Sequence, residues 1–73
     1  MKVTGTVTYV DISGGFWGIE GDDGQKYQPV DGLPAQYRKE GQRIEAKVSP
    51  SQGFSLFMWG RDVKINNIKE LSA

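Results

Sequence analysis

The stretch KVTGTVTYVDISGGFWGIEGDDGQKYQPV, residues 2–30, decides the fold. Its apolar and β-branched residues alternate with polar ones, and clusters of Gly, Asp and Ser interrupt the alternation twice. This pattern is typical of short strands joined by tight turns. We therefore predict a three-stranded meander, with strands over Lys2 to about Asp11, Phe16 to Gly21 and Gln25 to Val30.

Alternation also predicts which side chains of the first strand face the core. Val3 and Val7 share one side of it and are predicted to point inward. Gly5 lies between them, and a glycine inside a β-branched run indicates a sharp bend or the close approach of another backbone. A strand that curls at Gly5 can serve two sheets at once.

The second half of the chain contains a short irregular stretch and two more strands. Pro34 and the spacing of Leu33 and Tyr37 predict one or two helical turns between Asp31 and Gly41. The next strands are predicted over Gln42 to Ser49 and over Asp62 to Leu71, the latter with a bulge near Asn66-Asn67. Their apolar side chains are Ile44, Ala46 and Val48 in the first and Val63, Ile65 and Ile68 in the second.

Three strands, a helical connector and two strands predict an all-β, five-stranded Greek-key barrel, with the connector between strands 3 and 4. Closure into a barrel removes the exposed strand edges that a small sheet otherwise presents. A chain of 73 residues has room for one domain, so residues 1–73 are predicted to form it alone.

Composition narrows the possible functions. The chain has no Cys and no His, and its nine basic and nine acidic residues cancel. Disulfides, the usual zinc ligands and every His-based nucleophile pair are therefore excluded. We predict a protein that is not an enzyme and uses no metal or cofactor. The sequence given contains no apolar run long enough for a signal peptide or a bilayer span, which predicts a soluble, cytoplasm-compatible protein without a membrane partner.

Residues 5–19 and the Asp22-Asp23-Gly24 turn resemble the opening hairpin of cold-shock domains, in which Gly-x-Val-Lys-Trp-Phe-Asn precedes Lys-Gly-Phe-Gly-Phe-Ile. Those domains are OB folds that bind unpaired nucleic acid, so the resemblance implies an OB-type barrel. It implies that Tyr9 occupies the position of the family's Trp and Phe16 that of its first stacking Phe, whereas Gly18 replaces the second. The whole chain is also similar to small prokaryotic OB-domain proteins that carry Leu-Pro and Met-Trp-Gly elements.

One hypothesis is that single-stranded nucleic acid binds to an aromatic face on strands 1 to 3. Its candidate residues are Tyr9, Phe16, Lys26 and Tyr27, with support from Arg38 or Lys47. Alternation places Tyr9 in the core unless a bulge intervenes, favours exposure of Phe16, and leaves Tyr27 open. The neutral net charge, and the carboxylates of Glu20, Asp22 and Asp23 nearby, oppose binding of a polyanion. That acidic turn is better explained as a solvated hairpin tip than as a calcium site.

The other hypothesis is a protein-interaction or assembly module, which the neutral charge favours slightly. If Phe54, Leu56 and Met58 point inward, Phe57 and Trp59 point outward and form an apolar surface patch. Such a patch can dock an unknown protein partner or a second copy of the chain. The region from Lys26 to Tyr37, with Tyr37 as a candidate residue, belongs to the same hypothesis. The competing interpretation buries Trp59 beneath the connector at Leu33 to Arg38 or beneath the chain end.

Overall fold

The computed structural model describes residues 1–12, 14–51 and 59–71. These residues form a closed five-stranded β-barrel with the strand order β1-β2-β3-β5-β4. Its elements are β1 (Lys2–Val10), β2 (Phe16–Gly21), β3 (Lys26–Pro29), a 3₁₀ helix (Ala35–Tyr37), β4 (Arg43–Pro50) and β5 (Arg61–Glu70). The predicted all-β barrel and its short helical connector are confirmed. All neighbouring strands are antiparallel except β3 and β5, which are parallel.

Gly5 is the point at which β1 joins its two neighbours. It lies opposite Gly21 of β2 and also opposite Ile44 of β4. A Cβ on Gly5 would collide with the backbone carbonyl of Glu20. Only a glycine lets the strands approach this closely, because every other residue brings a Cβ into that space. The predicted close approach of another backbone at Gly5 is confirmed.

The β2–β3 turn and the β4–β5 register also follow the sequence. Gly24 takes a φ of +86° and donates its N–H to the Gly21 carbonyl, which closes the hairpin turn. Between β4 and β5 the register shifts at Lys47 and Val48, whose partners are Asn67 and Ile65. The residue left over on β5 is Asn66, so the predicted bulge is confirmed.

The core lies inside the barrel and is built from alternate strand residues. Its buried apolar residues are Val3, Val7, Ile19, Tyr27, Leu33, Ile44, Ala46, Val48 and Val63. The inward predictions for β1 and β4 are therefore confirmed at Val3, Val7, Ile44, Ala46 and Val48. The half-buried side chains of Trp17, Tyr37, Ile65 and Ile68 pack against this core and close its ends.

Candidate binding face

Two aromatic rings and an ammonium group meet on the outer face of β2 and β3. The rings of Phe16 and Trp59 lie edge to face, with centroids 5.6 Å apart and planes at 78°. The Nζ of Lys26 lies 5.4 Å from the centroid of the Trp59 ring, within the range of a cation–π contact. We call Phe16, Trp59 and Lys26 the ring cluster. It combines an apolar surface with a positive charge.

Glycines place Trp59 in the ring cluster. A Cβ on Gly18 would overlap the six-membered ring of the Trp59 indole, so the indole rests where β2 has no side chain. Gly60 follows Trp59, and a Cβ there would lie 2.7 Å from the backbone carbonyl oxygen of Lys26. These close approaches hold residues 59 and 60 against β2 and β3. The interpretation that buries Trp59 beneath the connector is wrong in location, because its described contacts are with Phe16, Gly18 and Lys26 on the outer barrel face. The alternative cover, the chain end at residues 72–73, lies outside the described residues.

Tyr9 lies at the rim of the barrel and not in the core, so the inward placement that alternation favoured is wrong. Its side chain is 46% exposed. The last pair between β1 and β4 is Thr6 with Arg43, so Tyr9 lies beyond the part of β1 that β4 covers. The ring packs edge to face on Trp17, with centroids 5.1 Å apart. No described contact joins Tyr9 to the ring cluster.

At the end of β1, where β4 no longer pairs with it, the side chain of Glu40 accepts the hydrogen bonds of β1. Its carboxylate accepts a hydrogen bond from the Tyr9 N–H at 2.7 Å and another from the Thr8 hydroxyl at 3.1 Å. A carboxylate that satisfies a backbone N–H in this way keeps the strand end ordered. The backbone of Tyr9 is therefore held at the rim, while its ring packs on Trp17 and stays partly exposed.

Tyr27 is buried, which corrects its assignment to the stacking face. Its side chain is 2% exposed and lies opposite the inward Ile19 in the register. Residues that pair directly across two strands share a face, so Tyr27 points inward with Ile19, whereas Lys26 and its partner Glu20 are exposed. Its hydroxyl donates to Asp23 Oδ2 at 2.8 Å, and this bond raises the pKa of Tyr27. The ring is not available to stack on a ligand.

The acidic β2–β3 turn is largely occupied by its own contacts. Asp22 accepts bidentate hydrogen bonds of 2.6 and 2.5 Å from Arg43, which hold its pKa below the usual value. Asp23 accepts from the Gln25 N–H at 2.9 Å and from Tyr27, and the Gln25 bond is the main cause of its lowered pKa. Among residues 1–12, 14–51 and 59–71, no group of acidic side chains is placed to hold a metal ion. Glu20 remains exposed on the face that carries Phe16.

The remaining predicted interaction residues do not form one patch with Trp59 in the described contacts. Phe57, together with Phe54, Leu56 and Met58, lies outside the described residues. Tyr37 is half-buried against the core, and its hydroxyl donates to the Ile68 carbonyl at 3.1 Å. Arg38 lies beside the connector, where its Nε donates to the Leu33 carbonyl at 2.7 Å. Lys47 is exposed on β4.

The structure thus assembles a face from both hypotheses. Phe16 and Lys26 come from the predicted nucleic-acid site, and Trp59 comes from the predicted protein-interaction site. Gly18 and Gly60 allow these residues to come together. The sequence shows both glycines but does not indicate which side chain occupies the space beside them.

Comparisons with protein-family models, with curated proteins and with solved structures each gave no match. In the part of the chain that the structure describes, no helix is both long enough and apolar enough to cross a bilayer.

Proposed function

We propose that this chain is a non-enzymatic, OB-type binding module whose ring cluster binds unpaired bases of single-stranded nucleic acid. The observation that carries the proposal is the convergence of Phe16, Trp59 and Lys26 on one outer face. A base stacked on an aromatic side chain contributes about 1–3 kcal/mol, and every base has a π-face. An ammonium group beside the rings suits the phosphate that accompanies such a base.

The angle between the two rings limits how much of a strand the site accommodates. Because the planes of Phe16 and Trp59 meet at 78°, one base cannot lie flat on both. Consecutive stacked bases are parallel to each other, so a continuous stack of bases does not fit the two rings of the ring cluster either. The ring cluster therefore suits one or two splayed bases at a bend in the strand, as in a loop or a bulge.

Charge on the same face restricts the affinity. Lys26 lies opposite the exposed Glu20 in the register between β2 and β3. Asp22 is paired with Arg43 and so adds less repulsion than an unpaired carboxylate. With one cation in the ring cluster and a neutral chain, we expect binding that is weak and that depends mainly on stacking.

An amide NMR titration with short, mixed-sequence DNA and RNA strands, at about 50 mM salt, tests the proposal. We expect saturable shifts at Phe16, Gly18 and Lys26. Phe16→Leu and Trp59→Leu keep apolar bulk but remove a π-face, so each should abolish most of the shifts in a folded protein. The absence of shifts in the unmodified chain would refute the function.

The matched control is Tyr9→Leu, which removes an exposed ring that contacts Trp17 and not the ring cluster. This variant should bind as the unmodified chain does. If it loses binding as severely as Phe16→Leu, the bases lie at the rim and the ring cluster is not the site.

A second candidate function is protein interaction or assembly, and a separate observation favours it. Tyr9 and Ile12 are 46% and 43% exposed at the same end of the barrel, beside the half-buried Trp17. The neutral chain does not repel a second copy of itself. Sedimentation at millimolar concentration should then show an oligomer that Ile12→Ser dissociates, whereas a monomer under those conditions excludes self-assembly.

A further inference from the structure

A second concave site lies beside the connector and shares no residue with the ring cluster. It is a pocket of about 320 Å³, lined by Asp31, Gly32, Leu33, Pro34, Arg38 and Ile65. Leu33 is 2% exposed and contributes almost no surface, so the accessible apolar surface of the pocket comes from Pro34 and the half-buried Ile65. The volume lies at the lower end of the range for small-molecule sites.

Arg38 is held in place at this pocket while its outer nitrogens stay free of described partners. Its Nε donates to the Leu33 carbonyl at 2.7 Å. None of the described residues accepts a hydrogen bond from Nη1 or Nη2 or forms an ion pair with them. These nitrogens carry four N–H groups in a rigid fork, which matches the two oxygens of a carboxylate.

Asp31 supplies the opposite charge on the lining of the same pocket. It lies in the turn after β3, where Gly32 donates its N–H to the Pro29 carbonyl at 3.2 Å. No described residue donates to its carboxylate, and no ion pair joins it to Arg38. A cation and an anion therefore line one pocket without forming an ion pair with each other.

We propose that this pocket binds an aliphatic α-amino acid in its zwitterionic form. The ligand carboxylate accepts hydrogen bonds from Arg38 Nη1 and Nη2, and the ligand ammonium donates to Asp31. Its side chain lies on Pro34 and Ile65. Because both protein charges are exposed and exposed ion pairs contribute little, we expect a dissociation constant on the order of 1 mM.

Titration of the 73-residue chain with L-leucine, followed by amide NMR, is the direct test. We expect saturable shifts at residues 31–38 and at Ile65. N-acetyl-L-leucine lacks the ammonium and L-leucinamide lacks the carboxylate, so each should bind more weakly, by up to about fivefold, the equivalent of one exposed ion pair. If either analogue binds as tightly as L-leucine, the site recognises a single chain terminus or an apolar group, and the proposal is overturned. No shift with L-leucine overturns it as well.

Variants of the two charges provide an independent measurement. Arg38→Gln and Asp31→Asn should each weaken L-leucine binding by up to about fivefold. The matched controls are Lys47→Gln and Asp11→Asn, which remove exposed charges that do not line the pocket and should leave the affinity unchanged. Arg38→Gln also removes the bond to Leu33. If that variant does not fold, Asp31→Asn and the two analogues decide the result, and unchanged affinity in a folded Asp31→Asn variant refutes the proposal.

Discussion

The indole of Trp59 lies on the backbone of Gly18, in the space that the side chain of any residue other than glycine would occupy at this position. This relationship connects Trp59, two residues before β5, to the strand that carries Phe16. It also leaves the edge of one ring facing the plane of the other. The absence of a side chain at Gly18 therefore allows Trp59 to join Phe16 on the outer face of β2.

Gly18→Ala should displace Trp59, because the added Cβ overlaps the indole. Overpacking of this kind typically costs about 1–3 kcal/mol, so we expect a lower free energy of unfolding in urea and a red shift of tryptophan fluorescence as the indole becomes more exposed. Gly14→Ala is the control for alanine at a glycine of the same hairpin, since a Cβ there meets no neighbour, although its φ of +96° adds backbone strain. Unchanged fluorescence in Gly18→Ala would contradict the placement of Trp59.

Acid should weaken the fold through three carboxylates that are paired in the native barrel. The pKa of Asp22 is lowered by Arg43, that of Asp23 by the Gln25 N–H, and that of Glu45 by Lys69 and then Lys2. A carboxyl whose pKa is lower in the folded state binds protons more readily when unfolded. Its stabilising contribution is present above the ordinary pKa values of 3.8 and 4.5 and is lost as the pH falls through the folded values.

Urea unfolding from about pH 6 down to about pH 2 measures this effect. A variant with Asp22→Asn, Asp23→Asn and Glu45→Gln should show a flatter decline in stability over that interval. Added salt should also weaken the contribution of the exposed pairs. Asp11→Asn, at an exposed position with no ion pair to a described residue, should leave the profile unchanged. A full decline in the triple variant would assign acid sensitivity to other groups.

Tyr27→Phe removes the hydroxyl that Asp23 accepts while the ring can stay in the core. We expect a loss of about 1 kcal/mol, the usual net value of a hydrogen bond, or somewhat more because the acceptor is charged. Asp23 raises the pKa of Tyr27 above 10.0, so this stabilisation should also disappear as the pH rises through the folded value. Tyr37→Phe, which removes a hydroxyl bonded to a neutral carbonyl, is the comparison. Equal stability of Tyr27→Phe and the unmodified chain would exclude the Asp23 bond.

The alternation of apolar residues was sufficient to predict the barrel because inward positions of neighbouring strands pair with each other. Val3 pairs with Ala46 and Val7 pairs with Ile19, and all four side chains are buried. Tyr9 is an exception to the alternation because β1 extends beyond its pairing with β4. A side chain on the inward side of this extension is exposed to solvent. Alternation predicts on which side of a strand a residue lies, but it does not predict where along the strand the core ends.

The candidate face was harder to predict because it depends on a contact between distant segments. Gly18 looks like a missing stacking residue in the sequence, yet the ring above it comes from Trp59. A strand of four residues such as β3 is too short for alternation to show which side faces the core, so the exposure of Tyr27 could not be predicted. Asp31 and Arg38 give no periodic signal, since both belong to the irregular connector region around the 3₁₀ helix.

The salt dependence of binding should identify Lys26 as the phosphate contact of the ring cluster. Each phosphate neutralised on a single strand contributes a slope of about −0.7 to a plot of log K against log salt concentration. With one ammonium in the ring cluster we expect about that slope for the unmodified chain. Lys26→Gln should bring the slope close to zero while stacking on Phe16 preserves part of the affinity.

Lys47→Gln supplies the matched control, because it removes an equal charge from the exposed face of β4 and should leave the slope unchanged. Glu20→Gln removes the carboxylate opposite Lys26 in the register and should strengthen binding, since repulsion of the phosphate is relieved. A slope several times steeper than about −0.7 would mean that several phosphates are held by cations elsewhere on the barrel. In that case the strand follows a different path, and Lys26 is not its main anchor.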